Sequence, residues 1–343
     1  MEEISLESQK AKLRNFNKGF KAIHLINVGA RVGILQALNE AKEGITVSEL
    51  ASKLGLHEPY LRIWCQTAYC LEILDCDSNG RFKFQPFLDE ILGDESNLNS
   101  YFGFFDLAVT ITGERLKNSP DYYRNGKIME SYTAERCEIV AGGARILHQI
   151  IALLYFPMLP ENDPLKKMLQ QGIRFLDIGC GTGGFVIQLA QSFENNKFLG
   201  IDPVRHGIEA GKEIISKLGL GGRVSLEHSV GEDLPYHNEF DIVSMVLTLH
   251  EILPDVRVKV VEKAYQALRS NGLVLIIDFS YPDKLEDFRS PDYELGVIDQ
   301  FDETCLGVIH LNMHEQNEIL TKVGFTNIQR TSMQGFDIIT AMK

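Results

Sequence analysis

The chain lacks several features that would send it to an obvious class. In 343 residues it has no run of about 18 consecutive apolar residues, so no membrane-spanning helix is expected. Its start, Met1-Glu2-Glu3, lacks the basic and apolar regions of a signal peptide, and a cytoplasmic protein is expected. Positive charge is short: 34 Lys and Arg face 47 Asp and Glu, a formal net charge of -13, which argues against general attraction to nucleic acid or anionic lipid. The six cysteines (65, 70, 76, 137, 180 and 305) form no CxxC pair and no cluster with histidine. Free thiols and no structural zinc are therefore expected.

What is present is an ordinary globular composition, 44% hydrophobic and 24% charged, on a chain long enough for two cores. Apolar residues Phe16, Phe20, Ile23, Ile26, Val28, Val32 and Leu35 recur at roughly helical spacing over 9–38, with Gly29 and Gly33 as weak points. A short helix at 45–56 closing at Gly55, a helix over 58–74, and Asp77-Ser78-Asn79-Gly80 between two short strands make the pattern of a winged helix. Many winged helices bind DNA, but residues 44–90 carry seven acidic side chains (Glu49, Glu58, Glu72, Asp75, Asp77, Asp89 and Glu90) against four basic ones. The second helix offers Tyr60, Leu61, Ile63, Trp64 and Tyr69, which suit packing better than base edges. Dimerisation or roofing of a substrate is the expected role, and nucleic acid is not an expected partner.

Residues 98–163 read as a helical bridge rich in aromatics, among them Tyr101, Phe104, Tyr122, Tyr132 and Phe156, ending in the linker Pro160-Glu161-Asn162-Asp163-Pro164. From 164 to 343 strands alternate with helices: strands at 173–178, 197–202, 223–228, 240–247 and 272–279, helices near 184–194, 204–218 and 255–269. A helix at 313–323, opened by Asn312 with Glu315, precedes two more strands, 326–332 and 335–342. Such alternation predicts an open, mainly parallel α/β sheet with helices on both faces. The domain order expected is thus 1–97, 98–163 and 164–343.

The chemical centre of this half is Phe175-Leu176-Asp177-Ile178-Gly179-Cys180-Gly181-Thr182-Gly183-Gly184-Phe185, a strand running into a glycine turn. Glycines there accept positive φ and let a ligand lie against the backbone. Asp202, with Pro203 after the next strand, is placed to accept hydrogen bonds from ribose hydroxyls. Gly179, Gly181 and Gly184 also satisfy the G-x-G-x-x-G fingerprint of dinucleotide sites, leaving an NAD-dependent oxidoreductase as one alternative. Asp177 opposes it, because a carboxylate near the ligand suits a cation better than pyrophosphate.

D-x-G-x-G-x-G after a strand resembles motif I of the class I S-adenosylmethionine (SAM)-dependent methyltransferases. Glu232-Asp233-Leu234-Pro235, Phe240-Asp241-Ile242-Val243, Ala267-Leu268-Arg269-Ser270-Asn271-Gly272 and Lys322-Val323-Gly324-Phe325 are similar to later stretches of that family. With its winged helix and helical bridge, the whole chain resembles the small-molecule O-methyltransferases and related bacterial winged-helix methyltransferases. The resemblance implies a Rossmann-like seven-stranded sheet with an antiparallel last strand, SAM as cofactor, and a homodimer. It also implies that Asp177, Gly179, Cys180, Gly181 and Gly183 surround the methionine part and that Asp202 and Pro203 border the ribose. Val230 falls where many relatives have an adenine-binding Asp, so backbone at Val230 and Gly231, or else Glu232, is expected there, with Val246 on the neighbouring strand end.

Methyl transfer to a hydroxyl needs alignment and a proton acceptor, and histidine suits the second task. His250, with Glu251 to orient it, stands just past the strand at 240–247, in the place where the winged-helix O-methyltransferases carry a catalytic His. His310 and His314 have the i, i+4 spacing of a metal pair, but Asn312 starts a helix between them, and no metal is expected. His148 in the bridge reads as a core or surface residue, and the acidic stretch 283–302 as a solvated loop. The expected function is SAM-dependent methylation of a small-molecule acceptor at a hydroxyl. The remaining alternative is a SAM-binding transcriptional regulator.

Overall fold

The computed structural model describes residues 4–94, 97, 99–126 and 133–343, so Tyr132 lies outside the described residues. The chain divides into two compact units: Met1–Gly113 with Gly142–Ile146, and Glu114–Ala141 with Leu147–Lys343.

In the first unit the expected helix over 9–38 is two helices, Leu6–Arg31 and Ile34–Glu40. They break at Gly33, whose φ of +79° is unfavourable for residues with a Cβ. Gly29 serves close approach instead: a Cβ there would lie 2.5 Å from the ring of Trp64. That ring donates its Nε1–H to the Leu25 carbonyl at 2.9 Å. Helix Val47–Leu54 starts with a reciprocal Thr46–Glu49 capping box and stops at left-handed Gly55. After helix Glu58–Cys70, strands β2 (Leu74–Cys76) and β3 (Arg81–Phe84) form the hairpin, and β1 (Ile45–Thr46) adds to β3. Asp77 shapes the hairpin turn by accepting from the amides of Asn79 and Arg81 at 2.8 and 2.9 Å. These helices and the three-stranded sheet share a core of Leu35, Leu38, Leu50, Trp64 and Leu74.

The second unit holds a seven-stranded sheet in the order β6-β5-β4-β7-β8-β10-β9. Its strands are β4 (Arg174–Ile178), β5 (Lys197–Asp202), β6 (Val224–His228), β7 (Phe240–Val246), β8 (Leu268–Phe279), β9 (Thr326–Met333) and β10 (Phe336–Met342). Strands β4 to β8 run parallel, and β10 is antiparallel to both of its neighbours. Alternate residues feed opposite faces: Phe175 joins one buried cluster with Phe185 and Phe198, Leu176 the other with Val260 and Ile276. Both faces are covered, so the strands read as continuous apolar runs.

Helix Ala134–Met158 is long and apolar enough to cross a membrane by length and composition alone. Glu138, Arg145, His148 and Gln149 interrupt its apolar surface, while Leu147, Ile151, Ala152 and Phe156 pack into the sheet's core.

One expectation is corrected. The stretch 283–302 is not a solvated loop: two 3₁₀ turns lead into helix Glu294–Glu303. That helix is amphipathic in reverse, with Leu295, Ile298 and Phe301 exposed and Glu303 buried. Asp299, Asp302 and Glu303 face inward, where Arg115 and two histidines pair with them.

Candidate active site

Two constellations stand beyond the carboxyl ends of the parallel strands, where open α/β sheets bind ligands. The first is the loop after β4. Gly179, Gly181 and Gly183 all have positive φ, at +76°, +54° and +77°. Amides of Gly179 and Cys180 both donate to the Ile201 carbonyl at 2.9 Å, which fastens the turn to β5. The Thr248 hydroxyl closes the far side by donating to the Gly179 carbonyl at 3.3 Å. A Cβ on Gly179 would collide with Thr248, whereas one on Gly181 would meet nothing within 4 Å. Gly181 therefore borders open space. Cys180 contributes packing and backbone only, since burial holds its thiol well above its usual pKa.

Asp202 is fixed by two amides, Gly181 N–H to one oxygen and Val204 N–H to the other, each at 2.8 Å. Burial still raises its pKa. Asp177, wholly enclosed, accepts from the Ser244 hydroxyl at 2.5 Å. Burial pushes its carboxyl up to about 7, and the neighbouring Asp202 charge adds to the rise. Two buried carboxylates beside an open backbone suit a ligand that brings positive charge. Pro203 is exposed, and Val230 with Gly231 opens the 3₁₀ turn Gly231–Asp233 after β6. Val246 is buried at the end of β7. His148, from the bridging helices, packs against Gly184 and the Phe185 ring, and burial lowers its pKa to about 4.

The second constellation surrounds His250, in the turn after β7. Asp278, near the end of β8, accepts from the His250 amide at 3.0 Å and pairs with its Nδ1 through its other oxygen. Nε2 faces Glu303 Oε2 at 3.2 Å. Burial alone would lower the imidazole pKa, but the Asp278 and Glu303 carboxylates outweigh it and hold it well above the ordinary value. Glu303 is opposed by burial, yet the hydrogen bonds and charges of His250, His310 and Arg115 keep it well below the usual carboxylate range. Arg115 Nη1 stands 3.5 Å from Glu303 and 3.1 Å from Asp302. Burial and the Asp299 charge push Asp302 up to about 6. Glu251 does not bond to His250. It is accessible at its surface, though protein crowds it enough to push its carboxyl up to about 7, with Glu303 adding.

Sequence reading located His250 but missed Asp278, Arg115, Glu303 and the placing of His310 beside His250. The rings of His250 and His310 lie 4.6 Å apart, centroid to centroid. His310 and His314 do not share a face: Asn312 caps the helix between them, and only His310 is buried.

Residues 169–324 match a family model described as a methyltransferase domain. A demethylmenaquinone methyltransferase of Oceanobacillus iheyensis is 32% identical over 36% of this chain and 51% of its own length. The chain thus spans about half the length of the curated relatives it matches. Among solved structures, human N-acetylserotonin methyltransferase in complex with SAM is 13% identical with a TM-score of 0.80, over 100% of this chain and 99% of that one. An O-methyltransferase from neocarzinostatin biosynthesis, in complex with SAM and 2-hydroxy-5-methyl naphthoic acid, is 16% identical with a TM-score of 0.67, over 93% and 95%. At such identities the likeness is one of fold, and the fold extends along the whole chain. Sheet order, glycine loop and family match agree that residues 169–324 carry a methyltransferase domain.

Proposed function

We propose that this protein transfers a methyl group from SAM to a hydroxyl of a small molecule, as a homodimer. The observation that carries the reading is the pair of buried carboxylates, Asp177 and Asp202, beside the open backbone at Gly181. Bound SAM supplies an electrophilic methyl on a positively charged sulfur. Asp177 favours the cationic end of that molecule, and Asp202, held rigid by two amides, accepts from the ribose hydroxyls. A pyrophosphate would meet repulsion from the same carboxylates, which weighs against a nicotinamide cofactor.

His250 and Glu251 follow the strand that borders the loop, in the position to meet an acceptor. The named acceptor complex among the similar structures, a hydroxylated naphthoic acid, supports a hydroxyl-bearing aromatic acceptor. Homodimerisation is supported by Leu13, Phe16 and Phe20, exposed at helical spacing along Leu6–Arg31. DNA binding draws no support from the winged helix: Arg62 pairs with Glu58 at 2.5 Å and Lys53 with Glu40 at 2.6 Å.

Calorimetry with S-adenosylhomocysteine and with NADH tests the cofactor. Micromolar binding of the first and none of the second is expected; the reverse overturns the reading. His250→Ala is expected to keep S-adenosylhomocysteine affinity near wild type and to slow methylation by about 10²–10⁴-fold. Full turnover in that variant removes His250 from the chemistry.

A further inference from the structure

A homodimer needs a surface that covers the exposed stripe of helix Leu6–Arg31, and the charge of that helix selects one. We propose that this helix of one copy docks on the outward face of helix Glu294–Glu303 of a second copy, the contact being used twice about a twofold axis. The inference rests on the homodimer reading and names the two surfaces that meet.

Helix Leu6–Arg31 departs in sign from the chain as a whole. It carries Lys10, Lys12, Arg14, Lys18, Lys21 and Arg31 against Glu7 alone, a net +5 in a protein of net -13. Lys10 pairs with Glu7 and Arg31 with Asp106. Lys12, Arg14, Lys18 and Lys21 are exposed and meet no carboxylate among the described residues. Leu6, Leu13, Phe16 and Phe20 are 72%, 65%, 62% and 62% exposed. Their spacing puts them on one side of the helix, and its 3.6-residue period places Lys12 at one border of that stripe and Lys21 at the other. The Lys12 ammonium lies 6.0 Å from the centre of the Phe16 ring. An apolar seam between cationic rims is complementary to an apolar surface with acidic neighbours.

Segment 283–303 of the second unit is such a surface. Leu295, Ile298 and Phe301 recur every third residue along helix Glu294–Glu303 and are 39%, 62% and 55% exposed. The exposed Tyr123 ring extends the patch, 6.3 Å from that of Phe301. Glu294 stands one turn before Ile298 on the same side of the helix. Asp292, in the 3₁₀ turn just before it, and Glu286, beside the exposed Leu285, are exposed as well. None of these three acids forms an ion pair among the described residues. The acids that do meet cations, Asp299, Asp302 and Glu303, point inward.

Pairing of two Leu6–Arg31 helices with each other would also cover the apolar stripe. It would bring Lys12 and Lys21 of both copies to one seam, and like charges across an interface are unfavourable. The acidic face removes that repulsion. Phenylalanine side chains bury about 150–250 Å² each when fully enclosed. At the observed exposures, Phe16, Phe20 and Phe301, each used twice, would supply roughly 500–900 Å² of the about 1,200–2,000 Å² that stable interfaces cover. The docked helix presents Glu303 to His250 from its inner side at 3.2 Å, so association and the candidate active site share one element.

Full-length protein is followed by sedimentation equilibrium. Wild type is expected to be a dimer whose dissociation constant rises by about tenfold or more between about 50 and about 500 mM NaCl, as screening weakens the rims. Lys12→Glu with Lys21→Glu, and separately Asp292→Lys with Glu294→Lys, are each expected to weaken self-association by at least about tenfold. An equimolar mixture of the two variants regains opposite charges at both contacts and is expected to dimerise as wild type does, which also shows that both variants fold. If the Asp292→Lys, Glu294→Lys protein dimerises like wild type, the acidic face is not the docking surface, and the homodimer itself stands. Wild type that stays monomeric at micromolar concentration overturns the homodimer and the docking together. Monomer that instead sediments with phosphatidylserine vesicles assigns the cationic helix to a lipid surface and overturns the docking likewise.

Discussion

The two constellations on the carboxyl edge of one sheet are built from different material. The glycine loop is largely backbone: left-handed glycines, amides aimed at β5, and carboxylates from consecutive parallel strands. The His250 centre is side chains gathered from residues 115, 250, 278, 299, 303 and 310, which share no local pattern. The contrast teaches that a site made by a turn announces itself in a short motif, because only glycine tolerates the turn. A site made by converging side chains announces only its members.

Four substitutions sharpen that comparison. The largest effect is expected in the side-chain centre. Asp278→Ala leaves the buried Nδ1 of His250 without its partner and is expected to cost about 3–5 kcal/mol in urea unfolding; a wild-type midpoint would show that Asp278 anchors nothing. Next comes the backbone site, where two glycines of similar φ should behave differently. Gly179→Ala meets Thr248 and is expected to lose roughly 1–3 kcal/mol of stability. Gly181→Ala, facing open space, should lose less stability and more S-adenosylhomocysteine affinity. Equal destabilisation in both would erase the distinction between packing and ligand space. Asp202→Ala is expected to weaken that ligand by tenfold or more, on the order of 1.5–3 kcal/mol for hydrogen bonds to a charged group, and unchanged calorimetric affinity would remove Asp202 from the site.

The smallest effect concerns pH. Asp177 is held up to about 7 in the folded chain by burial, with Asp202 adding, and returns to the ordinary carboxylate range on unfolding. The folded state therefore binds the proton more tightly. This contribution to stability is full below the unfolded pKa and is lost as pH rises toward about 7. Thermal melts without ligand should show wild type losing ground to Asp177→Asn between about pH 5 and pH 7.5. Parallel melting curves would mean that Asp177 stays charged throughout.

Much of the second unit was legible because buried parallel strands are continuous apolar runs ended by glycine, acid or proline. The strand at 197–202 coincides with β5, and Asn312 with Glu315 forms the capping box its spacing implied. The helix over 9–38 was legible in type but not in continuity, since apolar spacing runs through Gly33 while the backbone does not. The acidic helix was misread because exposure was inferred from charge. Asp299, Asp302 and Glu303 face inward only because Arg115 and two histidines, far away in sequence, supply the compensating partners.

The amino-acid order by itself determined the strand and helix alternation, the turn chemistry at Gly179-Cys180-Gly181 and the two carboxylates that flank that turn, because these depend on residues close together in the chain. Tertiary structure alone decided what surrounds His250. Burial and distance set the charge of an imidazole and the carboxylates it meets, and both come into being only when β7, β8 and the helix that follows them are brought together.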